Sequence, residues 1–367
     1  KVESFGTKFY DNLDQAIKQV IEETYSYRIP ISTNLSEEIY NYFNVFGLLS
    51  KKDLPKAIKT EFEAYCGDKG YNPNVFETRY ALTPNTQEKE KIKVIHVSEN
   101  KIELNKKLQK FSSYHLQNIA PISMTISDIT EFDERQNALI VNIEEKTIIT
   151  TILDQKIYDI NILDIGSQEI LDKINLKENS YAKAYEICKE TTIYTSEGKG
   201  LNDYEEDTNY LEDIMPTLYQ IVGQLRKIIN ESMDKIEKVY ITGTAALINN
   251  IDLYFEEYLE GVKCEILKPN FVKISPEINI KDYVEVNSAI SLALNGLGQG
   301  ITGMNFKKTS FMDKLPEFLK MEIGPSKKNK ESKPNKLTEK FKGNLFTVDF
   351  NMPLDKIEKS PYPFVLL

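Results

Sequence analysis

Three β-rich runs stand almost back to back between residues 138 and 163: ALIVNIEE, TIITTILD and KIYDINIL. Single-residue separations leave no room for a crossover helix, so the runs must pair as an antiparallel meander. A second feature constrains the chain a hundred residues further on. In residues 239–259, VYITGTAALINNIDLYFEEYL, an apolar β-branched run meets a turn of small residues, Gly243, Thr244, Ala245 and Ala246. Ile251, Phe255, Tyr258 and Leu259 then recur at helical spacing. The turn reads either as an ordinary βα connection or as one whose Gly and Ala let a flat base approach the main chain.

The remainder alternates strands and helices, an α/β pattern. Helical periodicity covers residues 13–24, 50–65 with Ser50 as N-cap, 101–111, 167–174, 213–234 and 284–297. Strands are expected at residues 27–32, 75–82, 92–98, 120–126 and 263–267, with a hairpin loop at 83–91. Residues 202–213, NDYEEDTNYLED, hold six acids and no base, and read as a solvated loop. Beyond residue 303 the character changes. GPSKKNKESKPNKLTEKFK (324–342) has seven lysines, two glutamates and almost nothing to bury, so a flexible linker is expected.

At 367 residues, 41% hydrophobic and 28% charged, the chain suits a soluble globular protein of two or three domains. No stretch approaches the ~18–20 apolar residues of a membrane span, and KVESFGTKFYDN lacks the apolar centre of a signal peptide. The chain opens on Lys1 rather than Met, so a preceding segment is expected. Cys66, Cys188 and Cys264 are far apart and fit neither a disulfide framework nor a zinc site, favouring a reducing compartment. A net charge of −10 argues against nucleic acid as a partner. His96 and His115 are the only histidines, and His96, within a strand, reads as structural rather than as a general base. Neither GxSxG, HExxH nor GxxxxGK[ST] occurs.

The order of blocks resembles one known family. RIPISTNLSEEIYNYFNVFGLLSKKDLPKAIKTEFEAY (28–65), NPNVFETRYAL (72–82), INILDIGSQEILDKI (160–174), YAKAYEICKE (181–190) and VNSAISLALNGLG (286–298) resemble segments of the PilM family of type IV pilus assembly proteins, relatives of FtsA in the actin-like superfamily. The resemblance runs from about residue 11 to 303. It implies an α/β, two-lobed, duplicated actin-like (ribonuclease H-like) fold with a small inserted α+β subdomain. The implied partition is subdomain 1A at 1–33 and 101–136, the inserted 1C at 34–100, 2A at 137–180 and 237–275, 2B at 181–236, a closing helix of 1A at 276–303, and a C-terminal tail from 304.

In the actin-like superfamily two Asp-Ile-Gly hairpins hold phosphate and Mg²⁺, and a small-residue turn covers adenosine. The resemblance puts candidate nucleotide contacts at Gly243, Thr244, Ala245 and Ala246, and at Gly166 and Ser167, which replace a glycine pair. The first hairpin is missing near Lys1, and the second reads Asn142-Ile143-Glu144. A glutamate in place of the glycine opposes a polyphosphate, since like charges ~4 Å apart cost on the order of 1–4 kcal/mol. The expectation is therefore a scaffold and not an enzyme, with no cofactor and a degraded ATP/Mg²⁺ site.

The family further implies a cytoplasmic place at the inner face of the membrane. Its implied partner is the N-terminal peptide of a PilN-like membrane protein, alongside an assembly ATPase and a PilO-like protein. The peptide groove between 1A and 1C falls near Tyr42, Phe43, Val45, Phe46 and Leu54, residues that read equally as 1C core. In the tail, FMDKLPEFLK (311–320) resembles the captured peptide, with Phe311, Leu315 and Pro316 as a docking segment; PFVLL (363–367) reads alternatively as the opening of a membrane span. The alternatives are an FtsA-like division adaptor and an actin-like ATPase or sugar-type kinase that retains nucleotide binding.

Overall fold

The computed structural model describes residues 2–307 except 3, 9–11, 28, 86, 87, 89, 134, 135, 195–209, 233, 234 and 271–282. The expected docking segment with Phe311, Leu315 and Pro316, the 324–342 linker and most of the acidic loop lie outside the described residues.

The meander forms as expected: β6 (Ala138–Ile143), β7 (Thr147–Leu153) and β8 (Lys156–Leu163) pair antiparallel. β9 (Lys238–Thr242) joins β6 in parallel and β10 (Lys263–Ile266) joins β9, giving a five-stranded sheet in the order β10-β9-β6-β7-β8. All six residues of β6 are buried, which explains its unbroken apolar run. Leu139, Val141, Val239 and Ile241 pack into one core with helices α5 (Ser167–Glu178), α7 (Leu211–Glu231) and α8 (Ile251–Tyr258). Between α5 and α7 lies α6 (Tyr181–Glu190). Ala138, Ile140, Ile152, Ile160 and Tyr240, on the opposite face, pack into a second core with Ile119, Met124 and Ile290 of the first lobe.

The first lobe holds a two-stranded parallel sheet, β1 (Ile31–Asn34) beside β5 (Leu116–Ala120). Helix α1 (Leu13–Glu23) buries Ala16, Ile17 and Val20 of its predicted face, and Asn12 caps it by accepting the Gln15 N–H. Between β1 and β5 the chain builds the inserted α+β unit. This comprises β2 (Ile39–Phe46), helix α2 (Leu54–Lys69), β3 (Phe76–Pro84), β4 (Lys91–Asn100) and helix α3 (Lys101–Lys110), with the strands ordered β2-β4-β3. Short helix α4 (Ile122–Thr125) and helix α9 (Asn287–Gly296) complete the lobe.

Three expected elements move, each for a backbone reason. The strand expected at 27–32 starts at Ile31, because Pro30 carries no N–H for a ladder. The strand expected at 120–126 ends at Ala120: Pro121 follows, and Ile122 to Thr125 turn into α4. Helix α2 begins at Leu54, since Ser50 instead caps a preceding turn by accepting the Asp53 N–H at 3.2 Å. Gly70, at φ +70°, ends α2. The packed body also extends past the expected tail start at 304, because Met304 and Phe306 are fully buried.

Candidate functional site

Of the residues proposed from sequence for nucleotide contact, Gly166, Ser167 and Gly243 converge on the β6–β7 turn, where they approach protein backbone. The Ser167 N–H and hydroxyl both donate to the Glu144 carbonyl, at 2.7 and 2.8 Å. A Cβ at Gly166 would overlap the carbonyl oxygens of Glu144 and Glu145. Gly243, at φ +89°, leaves no more room, since a Cβ there would sit 2.6 Å from the Ile143 carbonyl oxygen. Both glycines thus serve close approach of one chain turn to another. Ala245 and Ala246 are buried in the second-lobe core and Thr244 is half-buried.

Across this turn lies the start of α9. The Ser288 hydroxyl donates to Glu144 Oε1 at 2.6 Å and accepts from Asn142 Nδ2 at 3.1 Å. Asn287 Nδ2 donates to the Thr242 hydroxyl at 2.9 Å and to the Leu267 carbonyl at 3.1 Å. The Thr242 hydroxyl donates onward to the Val284 carbonyl at 3.0 Å. This chain of bonds ties the strand ends of the second lobe to the closing helix. Burial pushes the Glu144 carboxyl above its usual range, the bonds from Ser288 and Asn142 oppose that shift, and Glu285 adds to it. Asn142 Oδ1 and Asn287 Oδ1 are buried without a hydrogen-bond partner among the described residues. A polyphosphate placed at this turn would meet a carboxylate and two packed carbonyls instead of free N–H groups, so the residues present do not fit it.

One cavity adjoins the turn at 243–246 and another adjoins Glu145 of the β6–β7 turn. The first, of about 290 Å³, is lined by Ala246, Asn250, Asp252, Glu265, Lys268 and Val284. The other, of about 510 Å³, lies between the lobes and mixes Lys8, Lys107 and Lys110 with Glu145 and Glu285. Lys107 is already engaged there, its Nζ donating to the Asn34 carbonyl at 2.8 Å. Burial draws its pKa down to about 8, against the pull of Glu38 and Glu99. Among the described residues no cluster of three metal-ligating side chains occurs, and no helix is long and apolar enough to cross a membrane.

The five residues proposed for the partner groove do not line one surface. Strand alternation sends Phe43 and Val45 toward α2, where they pack with Leu54, Ile58 and Val94 as the core of the inserted unit. Tyr42 and Phe46 take the opposite face. The Tyr42 hydroxyl accepts from the Ile160 N–H and donates to its carbonyl, both at 2.9 Å, pinning the inserted sheet onto the edge of β8. Phe46 is 63% exposed. His96 is buried between Phe43 and Phe62, at 5.7 and 4.4 Å between ring centroids, and burial lowers its pKa to about 4.

Sequence reasoning missed two fasteners of the inserted unit. Buried Glu99 accepts the Ser36 and Glu37 N–H groups through Oε2, both at 3.0 Å. Arg79 donates from Nε to the Asn305 carbonyl at 2.9 Å and stands 5.1 Å from the Phe306 ring centroid. Asn305 and Phe306 in turn bond to both backbone groups of Ile119 in β5. The charged residues involved stand in β-rich runs, and that is the only signal the sequence offers for them. The polar pair Asn287-Ser288 opens an otherwise apolar helix pattern, a cue of the same kind.

No family model matches this chain, and no curated protein does. Solved structures do. A chain of the PilM-PilN type IV pilus biogenesis complex is similar over 77% of this chain and 84% of that one, at 18% identity and a TM-score of 0.60. The ethanolamine utilization protein EutJ from Carboxydothermus hydrogenoformans covers 52% of this chain and 59% of its own, at 12% identity and TM-score 0.37. MreB 5 of Spiroplasma citri bound to AMPPNP covers 52% and 64%, at 12% identity and TM-score 0.38. The likeness to the PilM-PilN chain is the one that carries the fold. Together with the two-lobed arrangement and the inserted β2-β4-β3 unit, it makes this an actin-like fold in the form seen in the PilM-PilN complex.

Proposed function

We propose that this protein is a scaffold of a type IV pilus inner-membrane assembly platform, and that it works by binding without a chemical step. The observation that carries the reading is the fold likeness to a chain of the PilM-PilN complex over most of both chains. The partner is the N-terminal segment of a PilN-like membrane protein, held between the first-lobe sheet and the inserted unit. Through that partner the scaffold sits at the cytoplasmic face of the membrane, within reach of a PilO-like protein and the assembly ATPase. The Glu144–Ser288–Asn142 network supports a nucleotide-free role, because it fills the turn where an actin-like ATPase would hold phosphate.

Two measurements test this. Fluorescence anisotropy with a labelled PilN-like N-terminal peptide should give saturable binding, and no binding at high micromolar protein would overturn the scaffold reading. Thermal unfolding with increasing Mg-ATP should leave Tm unchanged, whereas a rise that grows with ligand concentration would restore the nucleotide site.

A further inference from the structure

Strand β2 is an edge strand without the features that protect edges. In the order β2-β4-β3 only one side of it is paired among the described residues. The Gly47 N–H donates to the Glu90 carbonyl at 2.9 Å, which fixes the odd-numbered residues as those aimed at β4. Alternation turns the backbone N–H and C=O of Tyr42 and Asn44 outward, and no partner for them occurs among the described residues. Natural edges are blunted by lysine, proline, bulges or short length. β2, IYNYFNVF, has no charge and no proline, and keeps unbroken register with β4 over all eight residues. At its end Phe46 is 63% and Leu48 99% exposed.

The sequence of this edge is close to symmetric about Asn44. Stepping outward gives Phe43 and Val45, then Tyr42 and Phe46. When a strand pairs antiparallel with its own copy, residue i faces its mirror position, and this pattern then sets apolar side chains against one another on both faces. Centred on Asn44, the pairing sets Tyr42 against Phe46 of the partner subunit on one face and Phe43 against Val45 of the partner subunit on the other. Asn44 meets its own equivalent on the axis, with no like charges opposed anywhere along the strand. A foreign strand would impose no such symmetry. We propose that β2 is a self-association edge, through which two copies of this chain pair antiparallel about a two-fold axis at Asn44. The proposal is independent of peptide capture and of nucleotide, so neither of those binding measurements decides it.

Sedimentation equilibrium of the full chain from ~1 to ~100 μM covers the range expected of a single paired edge. The wild type should dimerise. Asn44→Lys, at an exposed position, should weaken association at least ~10-fold by opposing two like charges on the axis, with Tm of the monomer unchanged. Asn44→Cys should give a covalent dimer on mild oxidation, and the three native cysteines are buried and do not compete. A wild type that stays monomeric throughout would overturn the proposal. So would a dimer indifferent to Asn44→Lys, or failure of the Asn44→Cys variant to cross-link. A monomer that binds an extended peptide along β2 would assign the edge to a foreign strand instead.

Discussion

In the second lobe, β6 sits in the middle of five strands and buries all six of its residues, with cover on both faces. In the first lobe, β1 has one partner among the described residues, β5, and the larger sheet is an insertion fastened on by side chains. Glu99 holds the β1–β2 connection, Tyr42 holds β8, and Arg79 holds the segment at Asn305 and Phe306. The contrast teaches where each lobe keeps its stability. One relies on non-directional burial of a continuous apolar run, the other on a few directional bonds that must each be correctly placed.

The sharpest test of that contrast compares the two faces of β6. Leu139→Ala and Ile140→Ala should each cost ~2–5 kcal/mol in urea unfolding. If the lobes share one cooperative core, both variants lower a single transition; a split transition in Ile140→Ala alone would show that the first lobe melts separately. Glu99→Gln should cost ~1–3 kcal/mol, because an amide leaves the N–H groups of Ser36, Glu37 and Asn100 competing for one acceptor. Amide exchange should quicken at Ser36 and Glu37 while β6 stays protected, and equal quickening in both would erase the distinction between lobes.

Asp128 gives a pH-dependent version. Burial raises its carboxyl to about 6, against the bond from the Ile301 N–H at 2.9 Å. A raised carboxyl means the native state holds its proton more tightly than the unfolded one. Stability from this group is therefore lost as pH rises from about 4 to about 6. Asp128→Asn should flatten that fall and gain ~1–2 kcal/mol at pH 7, with no gain at pH 4. Equal gains at both pH values would mean the carboxyl is not the cause. Tyr42→Phe, the mildest change, removes the two bonds to Ile160 and should cost ~0.5–1.5 kcal/mol. A cost as large as that of Ile140→Ala would show that a single hydroxyl matters as much as the core.

The meander, the βα unit at 239–259 and the helix faces at 13–24 and 284–297 were legible because period and turn chemistry are local. Two of the displaced elements lie beside Pro30 and Pro121, where a missing N–H outweighed an apolar pattern, and the third, α2, starts late because Ser50 caps a preceding turn. The candidate site was legible in part. Gly166 and Gly243 meet at one turn, and what they approach is the backbone at Ile143, Glu144 and Glu145. Glycine says that something comes close; it does not say what. The aromatic run of β2 was harder to place for a related reason, since a period of two divides Tyr42 and Phe46 from Phe43 and Val45 between opposite faces.

The sequence by itself determined the elements and their order, because dihedral preference and hydrophobic period act over a few residues. Through the family resemblance it also singled out Glu144, where a glycine is expected. Only the tertiary structure decided that this carboxyl bonds Ser288 from a helix 144 residues away, that Arg79 reaches Asn305, and that β2 has an unpaired edge among the described residues. Those outcomes depend on which distant chain segments come to lie within about 3 Å of each other, the reach of a hydrogen bond. That distance is set by how the two lobes pack and is written in no local pattern.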